Sequence, residues 1–241
     1  EMYWKTLDPE CEIETLARDG EEGKPGKVLM EVTTKAWIMS AGERLALDYL
    51  QHLSGIATKT RRFVKLAEPY GVTIADARKG IPPIRVLQKY AVRVGGARSA
   101  WYSLSNAVLV KDNHIEMVGS ITAAVERLRA RAPHTLQIEV ECETLDQVQE
   151  ALDCGVQALI LDNMELDTLR KAVEIIGDKA FKDASGGVTE DAVVAICETG
   201  IDQIAVGSLT SSVEVVDIST EIGPLKASTK RTIDLALKQS A

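Results

Sequence analysis

Six short β-branched runs recur along the chain at intervals of about one strand plus one helix, and five of them end in charge. The runs GVTIADARK, AVLVKDNH, LQIEVE, ALILDN, AFKDASGG and QIAVGS place Lys79, Lys111, Glu141, Asp162, Asp183 and Gly207 at successive strand ends. Those positions are 32, 30, 21, 21 and 24 residues apart. Between them SITAAVERLRARA, TLDQVQEALDCG, ELDTLRKAVEIIG and TEDAVVAICETG carry apolar residues at helical spacing. Thr144 and Thr189 stand where helices start, and Gly155, Gly177 and Gly200 where they stop. This is the rhythm of a parallel β/α barrel. A doubly wound open sheet alternates in the same way, but no G-x-G-x-x-G follows a first strand, which favours the barrel.

The 241 residues accommodate one such barrel and a smaller layer beside it. Residues 1–67 read as a partial α/β sandwich, with the glycine turn RDGEEGKPGKVLMEV between short strands and a helical stretch broken near Ser54-Gly55. Residues 68–223 form the barrel and residues 224–241 a terminal helix. The opening at Glu1 reads as the end of an element, so the amino-terminal layer is expected to be truncated.

A net charge of -8 gives no whole-chain attraction for nucleic acid, so any phosphate must be held by a local cluster. No apolar run approaches the ~18 residues of a membrane span, and no signal segment opens the chain. A cytoplasmic chain without a membrane partner is the expectation. Cys11, Cys142, Cys154 and Cys197 show no C-x-x-C pair, which argues for free thiols rather than disulfides or a zinc site.

The loops leaving the carboxyl ends of barrel strands build the active site, because only there do many strands converge on one mouth. Here they gather Arg78, Lys79 and Lys111 opposite Glu141, Asp162 and Asp183. A barrel core needs none of these charges, and burying one unpaired is costly. After the last two strands, DASGGVTED and AVGSLTSS supply Ser185, Gly186, Gly187, Gly207 and Ser208. Backbone N–H groups approach a phosphate closely where no Cβ intervenes. Glu141 and Asp162, on neighbouring strands, suit Mg2+, which takes one or two carboxylates plus substrate oxygens, with ordinary ion pairing to Lys79 or Lys111 as the alternative. Together these features point to a sugar phosphate or diphosphate substrate.

In order along the chain, ERLALDYLQHLSGIATKTRR, DARK, KYAVRVGG, VLVKDNHI, IEVECETLDQ, LILDN, DASGGVTED and GIDQIAVGSLT resemble the quinolinate phosphoribosyltransferase family over nearly the whole length. The resemblance implies a type II phosphoribosyltransferase fold: an amino-terminal α/β sandwich joined to an incomplete, seven-stranded β/α barrel, assembled as a homodimer or a multiple of dimers. It implies magnesium-dependent transfer from phosphoribosyl pyrophosphate to an aromatic acid. By motif, Arg44 is expected to reach the neighbouring subunit's site, and Arg78, Lys79 and Lys111 to surround the acid and pyrophosphate. Glu141 and Asp162 are expected near ribose and magnesium, and Ser185, Gly186, Gly187, Gly207 and Ser208 around the ribose 5-phosphate.

The sequence departs from that pattern around the acid. Where the family reads G-G-G-x-N-H-R-x-x-L, this chain has GGARSAWYSL, so Ala100 replaces a histidine and Trp101 an arginine that holds a carboxylate. An indole stacks on a ring but does not supply that charge. D-T-R-K-T-T-P-G becomes DARKGIPP, and the histidine of G-A-L-T-H-S becomes Ser211. These changes favour an acceptor other than quinolinate, with Trp101 and Asp183 in its pocket. Quinolinate itself, clamped by Arg98 or Arg85, and a non-catalytic family member are the alternatives.

Overall fold

The computed structural model describes residues 1–223; the terminal helix expected over 224–241 lies outside them. The chain begins with α1 (Met2–Leu7), β1 (Glu12–Thr15), β2 (Met30–Thr33) and the long α2 (Ala36–Ala67). The barrel region follows as β3 (Thr73–Asp76), α3 (Arg85–Val94), β4 (Arg98–Ser99), β5 (Val108–Val110), α4 (Asp112–Val118) and α5 (Ile121–Arg129). It continues through β6 (Ile138–Cys142), α6 (Leu145–Asp153), β7 (Ala158–Asp162) and α7 (Leu166–Ile176). The last units are β8 (Phe181–Ser185), α8 (Glu190–Cys197), β9 (Gln203–Val206) and α9 (Ser208–Ser211).

The seven strands β3 to β9 form one all-parallel sheet in the order β4-β3-β9-β8-β7-β6-β5. The first of them, β3, pairs with the last, β9, which curls the sheet onto itself as a barrel does. Among the described residues only the seam between β4 and β5 lacks a ladder. The incomplete, seven-stranded barrel expected from the resemblance is therefore present. Its seventh strand is the two-residue β4, in a stretch whose pattern does not read as a strand.

Side-chain alternation assigns the two faces of the sheet. On β6 the buried Ile138, Val140 and Cys142 join the shell beneath the helices, leaving Glu139 and Glu141 on the lumen face. On β8, Ala184 belongs to that shell while Asp183 and Ser185 take the lumen face. Asp183 is thus the middle residue of a five-residue strand, one turn of the pleat below the mouth, and not the strand end that the spacing predicts.

Two further expectations change. The helical stretch is not broken at Ser54-Gly55: α2 runs unbroken through it. Gly55 is there because a Cβ would collide with the carbonyl of Glu214, on the strap that follows α9. That strap is tied to α2 by Val216 N–H donating to Gln51 O at 3.2 Å and Gln51 Nε2 donating to Ile218 O at 2.7 Å. In addition, Ile56, Phe63 and Ala67 of α2 belong to the barrel's core, so this helix serves the barrel as well as the small amino-terminal layer of α1 and the antiparallel β1-β2 pair. Thr144 does cap α6, accepting from Gln147 N–H, and the helix-ending Gly155, Gly177 and Gly200 all have positive φ. The four cysteines are free. No helix of the described residues is long and apolar enough to cross a membrane.

Between β3 and α3, Lys89 Nζ lies 2.6 Å from Asp76 Oδ2, both almost fully buried, and Asp76 Oδ1 accepts from Ala100 N–H at 3.1 Å. This pair anchors the chain just before Trp101. Lys89→Ala should destabilise the protein by about 3–5 kcal/mol in denaturant unfolding, because it strands a buried carboxylate, and the double variant Asp76→Leu/Lys89→Met should lose less than Lys89→Ala alone.

Candidate active site

The glycine turns after β8 and β9 open onto a cavity of about 520 Å³ at the barrel mouth. Its walls include Lys79, Ser185, Gly186, Gly187, Gly207 and Ser208, so the structure brings together all five residues expected to hold the phosphate, with one of the expected cations. Gly186 has φ +96° and a Cβ there would overlap the side chain of Asn163 and come within 2.7 Å of its backbone nitrogen. Asn163, the one described non-glycine residue with positive φ, donates its N–H to Ser185 O at 2.9 Å. The turn therefore keeps its shape by interlocking with the end of β7.

Lys79 lies three residues beyond the end of β3, on a loop pinned at several points. Thr210 Oγ1 donates to Lys79 O, and Ile81 N–H donates to Gln88 Oε1 at 2.8 Å. The fully buried Gln88 also donates to Thr210 O at 3.3 Å and meets His52 Nε2 at 3.0 Å. The stem of Lys79 runs past Gly207, within 3.0 Å of where a Cβ would stand. Glycine at 207 makes room for this lysine.

Outside the lining of that cavity, further round the sheet, Lys111 Nζ is ion-paired with Glu141 Oε2, and His114 Nδ1 accepts the Lys111 N–H at 3.0 Å, fixing the start of α4. Asp162, the last residue of β7, accepts from Asn163 Nδ2 at 2.7 Å. Glu141 and Asp162 thus stand on adjacent strands at the same end of the barrel.

Trp101 is buried at 7% exposure and reaches across the open seam. It follows the edge strand β4, yet its Nε1 donates to Glu139 Oε2 on β6 at 3.2 Å. The Arg78 guanidinium sits 5.4 Å from the ring centroid, within cation–π range. Burial raises the Glu139 pKa, while the indole hydrogen bond and the Arg78 charge oppose the rise. Deeper in the lumen, Asp183 accepts from Gln203 Nε2 at 2.9 Å, and its Oδ1 is buried without a partner among the described residues. Burial is the main cause that pushes its pKa up to about 7; the Glu139 charge adds to the rise and the Gln203 hydrogen bond resists it.

Two expected site residues lie apart from this cluster. Arg44 is exposed on the amino-terminal half of α2, with Asp48 as its ion-pair partner at 3.4 Å, and does not line the cavity. Arg98, on β4 opposite Ala75, is exposed near the seam. Conversely, three charged residues escape the strand-end reading. Lys59 and Arg62 enter the cavity from α2, and Glu139 anchors Trp101. The first two are legible only as cations three apart on one helix face in ATKTRR. Glu139 shares a face with Glu141 through the two-residue period of IEVE.

Comparison with known proteins agrees with this geometry. The family described as "Quinolinate phosphoribosyl transferase, C-terminal domain" matches residues 56–221. The chain is 40% identical over 222 residues to a protein of Synechocystis sp. named probable nicotinate-nucleotide pyrophosphorylase [carboxylating], covering 91% of this chain and 75% of that one. A protein of the same name from Bacillus subtilis is 38% identical over 205 residues, 85% of this chain and 71% of the relative. Among solved structures, a nicotinate-nucleotide pyrophosphorylase from Ehrlichia chaffeensis superposes with a TM-score of 0.85 at 35% identity, over 90% of this chain and 78% of its own.

The buried Asp183 carries a pH signature. Its folded pKa of about 7 lies above the ordinary 3.8, so between those values the folded chain holds a proton that the unfolded chain has released. Its contribution to stability is full below the lower value and is lost as pH rises through the upper one. Thermal unfolding of Asp183→Asn should therefore lose less stability than the parent between about pH 5 and about pH 8. Parallel curves for the two proteins would show that Asp183 ionises normally.

Proposed function

The chain belongs to the quinolinate phosphoribosyltransferase family, a pentosyltransferase class, and from that premise we propose that it transfers phosphoribosyl from phosphoribosyl pyrophosphate to quinolinate. The products on this reading are nicotinate mononucleotide, pyrophosphate and carbon dioxide. The observation that carries the reading is the cavity itself: bare glycine turns after β8 and β9, with Lys79 on one wall and the Lys111–Glu141 pair and Asp162 on the next strands round the mouth.

An acceptor other than quinolinate, the expectation drawn from Ala100 and Trp101, is less well supported. Relatives 38–40% identical across most of the chain carry the carboxylating name, and a tobacco relative named quinolinate phosphoribosyltransferase [decarboxylating] is 33% identical. The indole has a physical reason to be where it is that does not require a new acceptor: it spans the seam and backs Arg78. Arg78 and Lys111 remain around the mouth for a dicarboxylate, so losing one arginine does not empty the site of cations. Arg78 is the one whose guanidinium is already oriented, by the ring beneath it.

Cleavage of the C1′–pyrophosphate bond leaves cationic character on the ribose and negative charge on the departing group, so positioned charge carries most of the catalysis. On this reading the amides of Gly186, Gly187 and Gly207 hold the 5-phosphate, which fixes the sugar. Lys79 lies beside that phosphate and faces the pyrophosphate. Glu141, held by Lys111, faces the ribose, where a carboxylate favours the oxocarbenium-like centre. Glu141 and Asp162 also fit Mg2+, being hard oxygen donors on adjacent strands, while no cluster of three metal-ligating side chains exists among the described residues. That suits an ion completed by substrate oxygens. Magnesium, when bound, would supply charge to the pyrophosphate oxygens.

We further propose a homodimer in which Arg44 serves the partner's mouth; its exposure and its absence from its own cavity support this.

With phosphoribosyl pyrophosphate, quinolinate and Mg2+, nicotinate mononucleotide and pyrophosphate should form in equal amounts, and Lys79→Ala should lower kcat/KM by about 100-fold or more. Turnover of nicotinate without any turnover of quinolinate would sink the acceptor assignment. Arg44→Ala and Lys111→Ala should each be nearly inactive, and an unfolded and co-refolded equal mixture should regain about a quarter of the parent activity, because half the dimers then hold one intact site. A mixture as inactive as its parts would show that Arg44 does not act across the interface.

A further inference from the structure

Two cations reach the cavity from α2, and they are in different electrostatic states. Arg62 Nε donates to Glu190 Oε1 at 3.0 Å and its Nη2 lies 3.8 Å from Glu214 Oε2, so two carboxylates offset its charge. Lys59 Nζ instead donates to two backbone carbonyls, Ser208 O and Ser212 O, each at 3.0 Å. No carboxylate pairs with Lys59 among the described residues. An ammonium carries three donors, so one remains, along with a full charge, at the cavity wall.

The two carbonyls belong to the turn of α9, which directly follows Gly207. Lys59 therefore holds the turn whose glycine and serine line the cavity, and its half-buried stem runs up the cavity side of α2. Ser211 stands on the same turn, where the family pattern G-A-L-T-H-S has a histidine. Its hydroxyl donates to Gly207 O at 3.1 Å, so this position contributes no cation.

We propose that Lys59 is a phosphate-binding cation of this cavity beside Lys79, donating its third N–H to the 5-phosphate and taking over, from a different helix, the charge that Ser211 lacks. The inference rests on the phosphoribosyl reading. A lysine that only caps α9 needs two donors and no ligand. A lysine that also binds phosphate needs the third donor and the charge, and the two roles separate by experiment.

Calorimetry with ribose 5-phosphate, and with phosphoribosyl pyrophosphate plus Mg2+, should show Lys59→Met binding both about tenfold or more weakly than the parent, the usual effect of losing a charge-assisted hydrogen bond. Lys59→Arg should bind within a few-fold of the parent, and the Lys59→Met loss should appear in KM for phosphoribosyl pyrophosphate and not in KM for quinolinate. In the Lys59→Met background, Ser211→His should restore binding below about pH 6.5 and not near pH 8, because the new imidazole is charged only in the first condition. Lys59→Gln serves as a second variant should the methionine protein not fold. Unchanged ribose 5-phosphate binding in the methionine or glutamine variant overturns the proposal, as does an equal loss in Lys59→Met and Lys59→Arg, the mark of a purely structural cap. A parent protein that binds neither ligand overturns the phosphoribosyl reading along with it.

Discussion

Among the described residues this seven-stranded barrel does not complete its ring of backbone hydrogen bonds, and the open seam between β4 and β5 is the constraint around which this site is arranged. Trp101 answers it. From the end of β4 the indole crosses the lumen side of the gap and donates to Glu139 on β6, which buries a large apolar surface where a ladder is missing. The same ring then carries Arg78 on its face. The Asp76–Lys89 pair fixes the backbone immediately before it, through the Ala100 amide. The chain's departure from its family at this stretch is thus physically coherent: a flexible cation is replaced by a rigid ring that closes the wall and orients a neighbouring cation.

The rest of the mouth divides by how each charge is held. Lys111 and Glu141 neutralise each other across adjacent strands, and Arg62 is held between Glu190 and Glu214. Lys79 and Lys59 are bound through carbonyls or packing, without a carboxylate among the described residues, and both face the glycine turns. Charge left uncompensated beside bare amides is what a phosphate requires, whereas paired charge positions groups without attracting a ligand strongly. A reading by residue type alone would treat these four cations as equivalent. Their partners show otherwise.

The barrel was legible in the sequence because strand and helix periods alternate at a regular interval, and Gly155, Gly177 and Gly200 mark the helix ends. The glycine turns of the cavity and the Lys111–Glu141 pair follow from the same register. Three things were not legible. The two-residue β4 is too short to show alternation, and its pairing is decided by β3 beside it. Gly55 reads as a helix breaker because its reason, the Glu214 carbonyl against α2, comes from a segment more than 150 residues away. Asp183 looks like a strand end because a charged residue is a poor candidate for a strand's middle. It is tolerated there by Gln203 and by a pKa near neutrality, which lets it avoid most of the cost of a buried charge.

Two substitutions in the family's motifs, at Trp101 and Ser211, invite the same inference of lost binding, yet both lie where another element reaches the same space. At a barrel mouth many segments converge, so a group missing from one loop can be supplied by a neighbour without altering the backbone that cradles the ligand. Arg78 is brought to the acid side by the ring that replaced an arginine. Lys59 stands on α2, behind the turn that lost a histidine. On the proposed reading, the charge keeps its place in the cavity while the residue that carries it moves between elements, as long as its own partners leave that charge available.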